Sequence, residues 1–298
     1  NEAYCTMNEG IGKVLRFGAY SKEVVDRLLW MRDVLGPTLG KAIRSIGGLN
    51  VNPLVAKAIA MGDEFHQRNI AASLAFLKEV SPVITKMDMD EKDRYDVIKF
   101  LADTDQFFLN IMMATGKAVM DAARQVTDGT IVTAICRNGV EFGIQLSGTG
   151  NRWYTAPAPV IHGMLLKPSY TEEDLLGYLG DSCVTEVYGL GGMSSIAGPA
   201  YARFTGATFA EAKERTEKAR AVSLGEHTFA PIPWDEYRGF PVGIDARKVV
   251  GYNILPISHG GSALKTGGQA GAGAAELPLE CFREALRGIR DEALRKQQ

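Results

Sequence analysis

The chain has 298 residues, 46% apolar and 23% charged, which is ordinary for a globular protein of one large domain or two. Its 33 Lys and Arg against 35 Asp and Glu leave a net charge of -2, excluding the basic field that nucleic acid or an anionic membrane surface requires. No apolar run is long enough for a membrane-spanning helix, the first residues lack the regions of a signal peptide, and the four scattered cysteines form no CxxC pair, so a cytoplasmic location is expected.

Residues 1–127 read as a helical domain. Ser21 caps a helix over 22–35, with Val24, Val25, Leu28 and Leu29 on its apolar face. Gly36-Pro37 is expected to end it and to open the next helix, a device repeated at Asn52-Pro53 before 54–61. Residues 63–80 read as another helix, closed by Ser81-Pro82. A helix over 90–102 follows, then a long apolar one over 104–126 capped by Asp103. The character changes at Asp128-Gly129. Residues 130–136 are rich in β-branched side chains, 140–146 alternate, and Arg137-Asn138-Gly139 between them signals a β-hairpin. Capping boxes at Thr171–Asp174 and Thr208–Glu211 are expected to open two helices, the second reaching about residue 224. Residues 242–245 and 252–257 read as short strands, and 278–294 as an amphipathic helix. The glycine- and alanine-rich stretch 260–275 reads as a mobile lid or a flexible connector. The fold class is therefore α+β: a helical domain over 1–127, then a mixed α/β domain over 128–298 with a hairpin and Gly-rich loops.

The stretch Gly62-Asp63-Glu64-Phe65-His66-Gln67-Arg68-Asn69 interrupts apolar, helix-like sequence. Polar groups drawn into an interior need a partner or a purpose. Asp63 and His66 are three apart, Glu64 and Arg68 four apart, so each pair can share a helix face. A salt-bridged surface turn and a ligand-facing cluster both fit these charges, and the following His66, Gln67 and Asn69 favour the cluster. Asp63, Glu64 and His66 with Asp103 or Asp105 match no standard ligand spacing, so no metal or other cofactor is expected. Asn110, in an apolar helix, needs a partner on a ligand or on another helix. Arg152, beside Trp153 and Tyr154, can offer a guanidinium to a carboxylate or phosphate, or make a surface cation–π contact. Gly191, Gly192 and Ser194 can aim N–H groups at an anion or simply make a tight turn. His259 and Lys265 become anion contacts only if their Gly-rich segment closes over a site. His162 and His227 read as structural, and the cysteines as small buried hydrophobes, Cys183 alone in polar company. The absence of G-x-S-x-G speaks against a serine nucleophile.

Six blocks in order carry a resemblance: Asn8–Tyr20, Met61–Asn69, Thr104–Asn110, Arg137-Asn138-Gly139, Arg152–Pro157 and Gly180-Asp181-Ser182. Together they resemble the family long listed as DUF1116 and typified by YlbE. That family is associated with the AllG subunit of the multi-subunit oxamate carbamoyltransferase of allantoin breakdown. The resemblance covers nearly the whole chain. Family proteins extend well before the equivalent of Asn1, which implies an N-terminal domain that is absent, cleaved or separately encoded. It further implies a cytoplasmic transferase subunit of purine degradation, a homo-oligomer working with other subunits. The implied substrates are carbamoyl phosphate and an oxamate-like acid.

Carbamoyl transfer needs an anion cradle, donors on the carbamoyl oxygen and a base near the nitrogen. Distributed over these needs, the candidate catalytic residues are His66, Asp63 and Arg68. The candidate substrate-binding residues are Glu64, Asn69, Asn110, Arg152, Gly191, Gly192 and Ser194. Two other readings stay open: a non-catalytic ligand-binding or structural subunit, and a metal-dependent hydrolase of cyclic amides.

Overall fold

The computed structural model describes residues 2–127 and 129–295. Asp128, where the boundary between the halves is expected, lies outside the described residues. The chain runs α1 (Lys22–Trp30), α2 (Gly36–Ser45), α3 (Val51–Ile59), α4 (Ile70–Ile84), α5 (Glu91–Asp103) and α6 (Phe108–Arg124). The hairpin β1 (Val132–Asn138) and β2 (Glu141–Leu146) follows, then β3 (Tyr154–Pro157), β4 (His162–Leu165), β5 (Leu179–Gly180) and α7 (Val184–Tyr188). Next come α8 (Pro199–Ala202), α9 (Phe209–Ala221), β6 (Ser223–Glu226), β7 (Pro241–Ile244) and α10 (Ala246–Tyr252). The chain closes with β8 (Ile257–Ala263), β9 (Gln269–Glu276) and α11 (Leu279–Arg295). This is an α+β fold, helices first and small antiparallel sheets after, in strand orders β3-β2-β1-β5, β4-β9-β8 and β6-β7.

Several local expectations are corrected. Gly36-Pro37 does not stop the first helix. The missing proline N–H is absorbed by a π-helical turn over Met31–Leu35, and the helix continues into α2. Gly62 closes α3 instead of opening a helix. At φ +95° it takes the left-handed cap position, its N–H bonded to Ile59 O and that of Asp63 to Ala58 O. Residues 63–69 are irregular, and α4 begins only at Ile70 and runs through Pro82. Asp103 ends α5 and does not cap α6, which starts at Phe108. The Thr171 box opens a single 3-10 turn, and Tyr252 ends a helix where a strand was expected. The stretch 260–275 is neither lid nor connector: it is the paired strands β8 and β9. The hairpin at Asn138-Gly139 stands, with Arg137 paired to Phe142 and the Asn138 carboxamide accepting from Val140 and Glu141.

Two apolar cores hold the molecule together. The helical core is centred on Phe65, Phe76, Phe107 and Phe108, and residues 188–240 contribute Tyr188, Ile196 and Phe240 to it. Its rings meet at centroid distances of 5.7 to 6.2 Å, mostly edge-on, the geometry aromatic quadrupoles favour. The second core sits between the β1–β2 hairpin, α7 and α11. The glycines of β8 shape what lies beside the strand. A Cβ at Gly260 would fall 2.3 Å from Tyr178 Oη, and one at Gly261 2.6 Å from Phe17 Cζ. Glycine there makes room for two aromatic walls of a cavity. Phe108 is fully buried, so Phe108→Ala should cost about 3–5 kcal/mol in urea unfolding, while Tyr95→Ala on the surface of α5 should stay within about 0.5 kcal/mol.

Candidate functional site

The irregular turn 63–69 and the residues before and within α7 face each other across the junction of the two cores. Phe65, held at φ +69°, drives its ring into the helical core, so its neighbours Glu64 and His66 turn toward α7. Glu64, His66 and Glu186 are all at most 1% exposed. His66 Nδ1 lies 2.7 and 2.8 Å from the two Glu186 oxygens, and His66 Nε2 lies 2.7 Å from Ser182 Oγ. Ser182 Oγ also accepts from Arg137 Nη2 at 2.9 Å, while Arg137 Nη1 donates to Gly180 O at 3.1 Å. The Arg137 guanidinium stacks 3.7 Å above the Tyr178 ring, whose hydroxyl donates to His259 O.

Of Gly191, Gly192 and Ser194, expected to cradle an anion, only Gly192 meets one, and that anion is internal. Gly192 N–H donates to Glu186 Oε1 at 2.8 Å and Gly191 N–H to Glu64 O at 2.6 Å, while Ser194 Oγ donates to Gly189 O. Thr185 Oγ1 adds a further bond to Glu186. Burial alone would raise the Glu186 carboxyl, yet the His66 imidazole and the Gly192 N–H hold it below the usual carboxylate range. An ionised Glu186 keeps the proton on His66 Nδ1 and leaves Nε2 free to accept from the Ser182 hydroxyl.

A second pair backs the first. Glu64 accepts from the N–H groups of His66, Gln67 and Arg68, and its other oxygen lies 3.0 Å from His259 Nδ1. His259 N–H in turn donates to Glu186 Oε1 at 3.2 Å, so the two carboxylates and two histidines are tied crosswise.

Ser182 forms part of the wall of a cavity of about 610 Å3. Residues 6–9 and 15–17, Asn8, Arg16 and Phe17 among them, line it from the strap that forms its roof, and Arg137, Tyr178 and Gln67 line it as well. Asn110 supports the roof: its carboxamide accepts from Asn8 N–H at 2.7 Å and donates to Asn8 O at 3.0 Å. Asn8 and Arg16 of the roof and Arg137 of the wall each keep a buried side-chain N–H without a protein acceptor. Burial lowers Arg16 to about 10, against the pull of Glu9 and Asp181, so it stays charged at neutral pH. Burial opposes the Arg137 charge too, but the acidic groups around it, Cys183, Tyr178 and Glu186, more than offset that.

The remaining expected residues sit elsewhere. His66 does not itself line the cavity; Ser182 stands between them. Asp63 accepts from Ala72 N–H at the start of α4 and pairs with Arg68 at 3.4 Å, and Asn69 is buried with its carboxamide unpartnered. Arg152 is half-exposed and pairs with Glu292 at 3.3 Å. His162 pairs with Glu172 on the surface, and His227 packs among Tyr188, Phe229 and Phe240. Among the described residues, no three His, Cys, Asp or Glu are placed to hold a metal ion, and no helix is long and apolar enough to cross a membrane. Sequence reasoning did not single out Ser182, Glu186, Arg16, Tyr178 or Asn8 for the site. The four-residue spacing of Ser182, in the turn that leads into α7, and Glu186, on α7, is the one local signal for two of them.

Known proteins share the sequence and the fold of this chain. The family described as oxamate carbamoyltransferase subunit AllG matches residues 1–182. Oxamate carbamoyltransferase subunit AllG of Escherichia coli is 44% identical over 293 residues, which is 97% of this chain and 70% of that one. The E. coli protein YahG is 38% identical over 290 residues, 97% of this chain and 61% of its own length. A crystal structure of a conserved protein of unknown function from Enterococcus faecalis superposes with a TM-score of 0.91 at 39% identity. It covers 95% of this chain and 68% of the other. The chain thus spans about two thirds of the length of these relatives.

Two expected outcomes follow from the geometry. A Cβ at Gly191 would sit 2.0 Å from Glu186 Oε1 and 2.9 Å from His66 Cβ, at φ +59°. Gly191→Ala should therefore lower the melting temperature and displace the His66 imidazole, read from its NMR shifts. Burial raises the Asp63 carboxyl from 3.8 to about 6. Being harder to ionise when folded, it stabilises the fold below about pH 4 and loses that contribution as pH rises through about 6. Urea unfolding should show wild type losing up to about 3 kcal/mol relative to Asp63→Asn between about pH 4 and pH 7; parallel curves would sink this.

Proposed function

The chain belongs to the family of oxamate carbamoyltransferase subunit AllG, and on that premise we propose that its 610 Å3 cavity is a carbamoyl-transfer site. One observation carries the reading. The cationic side chains of Arg16 and Arg137 line the cavity together with Ser182 of the Ser182–His66–Glu186 relay. Two guanidinium groups lining one cavity favour an anionic ligand there. Phosphate and carboxylate are planar or tetrahedral oxyanions that an arginine fork matches, and carbamoyl phosphate with an oxamate-like acid supplies both.

In this reading Arg137 and Arg16 hold the phosphate and neutralise the charge that builds on it as the carbamoyl C–O bond breaks. His66, oriented by Glu186, takes up the proton released in the transfer by way of Ser182. Asp63, Arg68, Asn69 and Glu64 act indirectly: they shape and brace the turn that presents His66. Asn110 acts through Asn8. A neighbouring cavity of about 410 Å3 shares Met113, Cys136 and Asp181 with the first and adds Lys117 and Arg124. It offers the carboxylate acceptor its own entry.

The test is calorimetric titration of carbamoyl phosphate into the full-length protein assembled with its partner subunits. Arg137→Ala and Arg16→Ala should each weaken binding about 10- to 100-fold, the loss of one charge-assisted contact. Binding unchanged in both would remove the cavity as the site. Tight binding in wild type with no carbamoyl transfer to oxamate would instead favour a ligand-binding subunit.

A further inference from the structure

Three groups converge on a single oxygen at the wall of the cavity. Ser182 Oγ lies 2.7 Å from His66 Nε2 and 2.9 Å from Arg137 Nη2, and behind His66 the Glu186 carboxylate holds Nδ1 at 2.7 Å. A hydroxyl, an imidazole and a carboxylate linked in that order make the hydroxyl a nucleophile, because the imidazole can take its proton as the oxygen attacks. No G-x-S-x-G precedes the geometry. It is assembled from residues 116 positions apart, which is why a motif search passes over it.

The second pair supplies an internal comparison. Ser195 Oγ lies 3.2 Å from His259 Nε2, and His259 Nδ1 lies 3.0 Å from Glu64, so the same order of groups recurs. Ser195 is 1% exposed and spends its hydroxyl on Gly192 O at 2.8 Å. Ser182 opens on the cavity and carries an arginine on its oxygen. Access and a neighbouring cation, not wiring, separate the reactive chain from the structural one.

We infer that Ser182 is a covalent nucleophile, and that the carbamoyl group rests on its oxygen between donor and acceptor. The inference rests on the carbamoyl-transfer reading and specifies its chemistry. In the first step Ser182 Oγ attacks the carbamoyl carbon of carbamoyl phosphate and its proton passes to His66 Nε2. The carbon–oxygen bond to phosphate breaks, its electron pair leaving with the phosphate, which takes the proton from His66 and departs as hydrogen phosphate. A carbamate ester of Ser182 remains. In the second step the acceptor's amide nitrogen attacks the ester carbon and gives its proton to His66. The Ser182 oxygen leaves, stabilised by Arg137, and recovers that proton. Ser182, His66 and Arg137 touch the reacting atoms; Glu186 is a positioning residue that fixes the imidazole.

The full-length protein with its partner subunits is incubated with carbamoyl phosphate and no acceptor, acid-quenched and digested. Mass spectrometry should find one carbamoyl group on the peptide containing Ser182, absent in Ser182→Ala and in a control treated with cyanate at matched concentration. Labelled inorganic phosphate should exchange into carbamoyl phosphate without acceptor. Ser182→Ala should cut both exchange and net transfer at least about a thousandfold, while binding carbamoyl phosphate within about threefold of wild type by calorimetry. That retained binding also shows that the variant is folded. Normal binding with neither adduct nor exchange, or Ser182→Ala transferring within about tenfold of wild type, overturns the nucleophile and leaves the site standing. Wild type that binds no carbamoyl phosphate overturns both.

Discussion

Two carboxylates without exposed surface, Glu64 and Glu186, are the constraint around which the middle of this molecule is arranged. An ionised carboxylate inside protein costs several kcal/mol unless it is met by charge and by donors. Here both kinds of compensation come from distant chain. Glu186, on α7, is met by His66 from the turn after α3, by Gly192 from the following 3-10 segment and by the His259 backbone from β8. Glu64 gathers its own turn and reaches His259. Satisfying two acids thus fixes the relative positions of the helical bundle, α7 and the β8–β9 pair. The same bonds orient the imidazole that faces Ser182. The bonds that satisfy the buried acids are thus also the ones that set the direction of that ring.

What the sequence discloses follows the range of the forces involved. The hairpin at Asn138-Gly139 and the helix ending the chain are legible because turn chemistry and apolar periodicity act within a few residues. The polar stretch 63–69 was legible as unusual and illegible as structure. Its composition suits a helix start, but Gly62 caps the preceding helix and the turn is held by partners 120 and 195 residues away. Gly36-Pro37 misleads for a similar reason: a π-turn absorbs the proline because the apolar face of the continuing helix is worth keeping. The glycines of 260–275 suggest looseness until Phe17 and Tyr178 are seen in the space their missing side chains leave. Arg16 and Asn8 carry no local mark of function. They become conspicuous only as buried donors without acceptors.

The internal comparison between the two serine–histidine–glutamate chains limits what wiring alone can mean. In both the imidazole and the carboxylate are buried, both bond within 3.2 Å, and each imidazole bonds to its carboxylate through Nδ1. The His259 chain works as a brace: it holds β8 against the 63–69 turn and seats Glu186 through its backbone N–H. Its burial keeps ligand away from Ser195. The presence of a triad-like order is thus a packing solution for paired acids as much as a catalytic device. The opening onto the cavity decides which it becomes.

The roof and the wall of the cavity are built differently, and that difference bears on how such a protein diversifies. The wall residues Ser182, Arg137 and Tyr178 and the His66 and Glu186 behind them are mutually dependent: each loses a partner if another is changed. The roof is an irregular strap over residues 6–17, moored at separate points by Asn110, Asp181, Gln269 and Arg27. Substitutions along the strap can recontour the ligand space while these moorings persist, without unseating a buried charge. Descendants of one ancestor can therefore exchange the molecule they accept by small steps in a dozen residues.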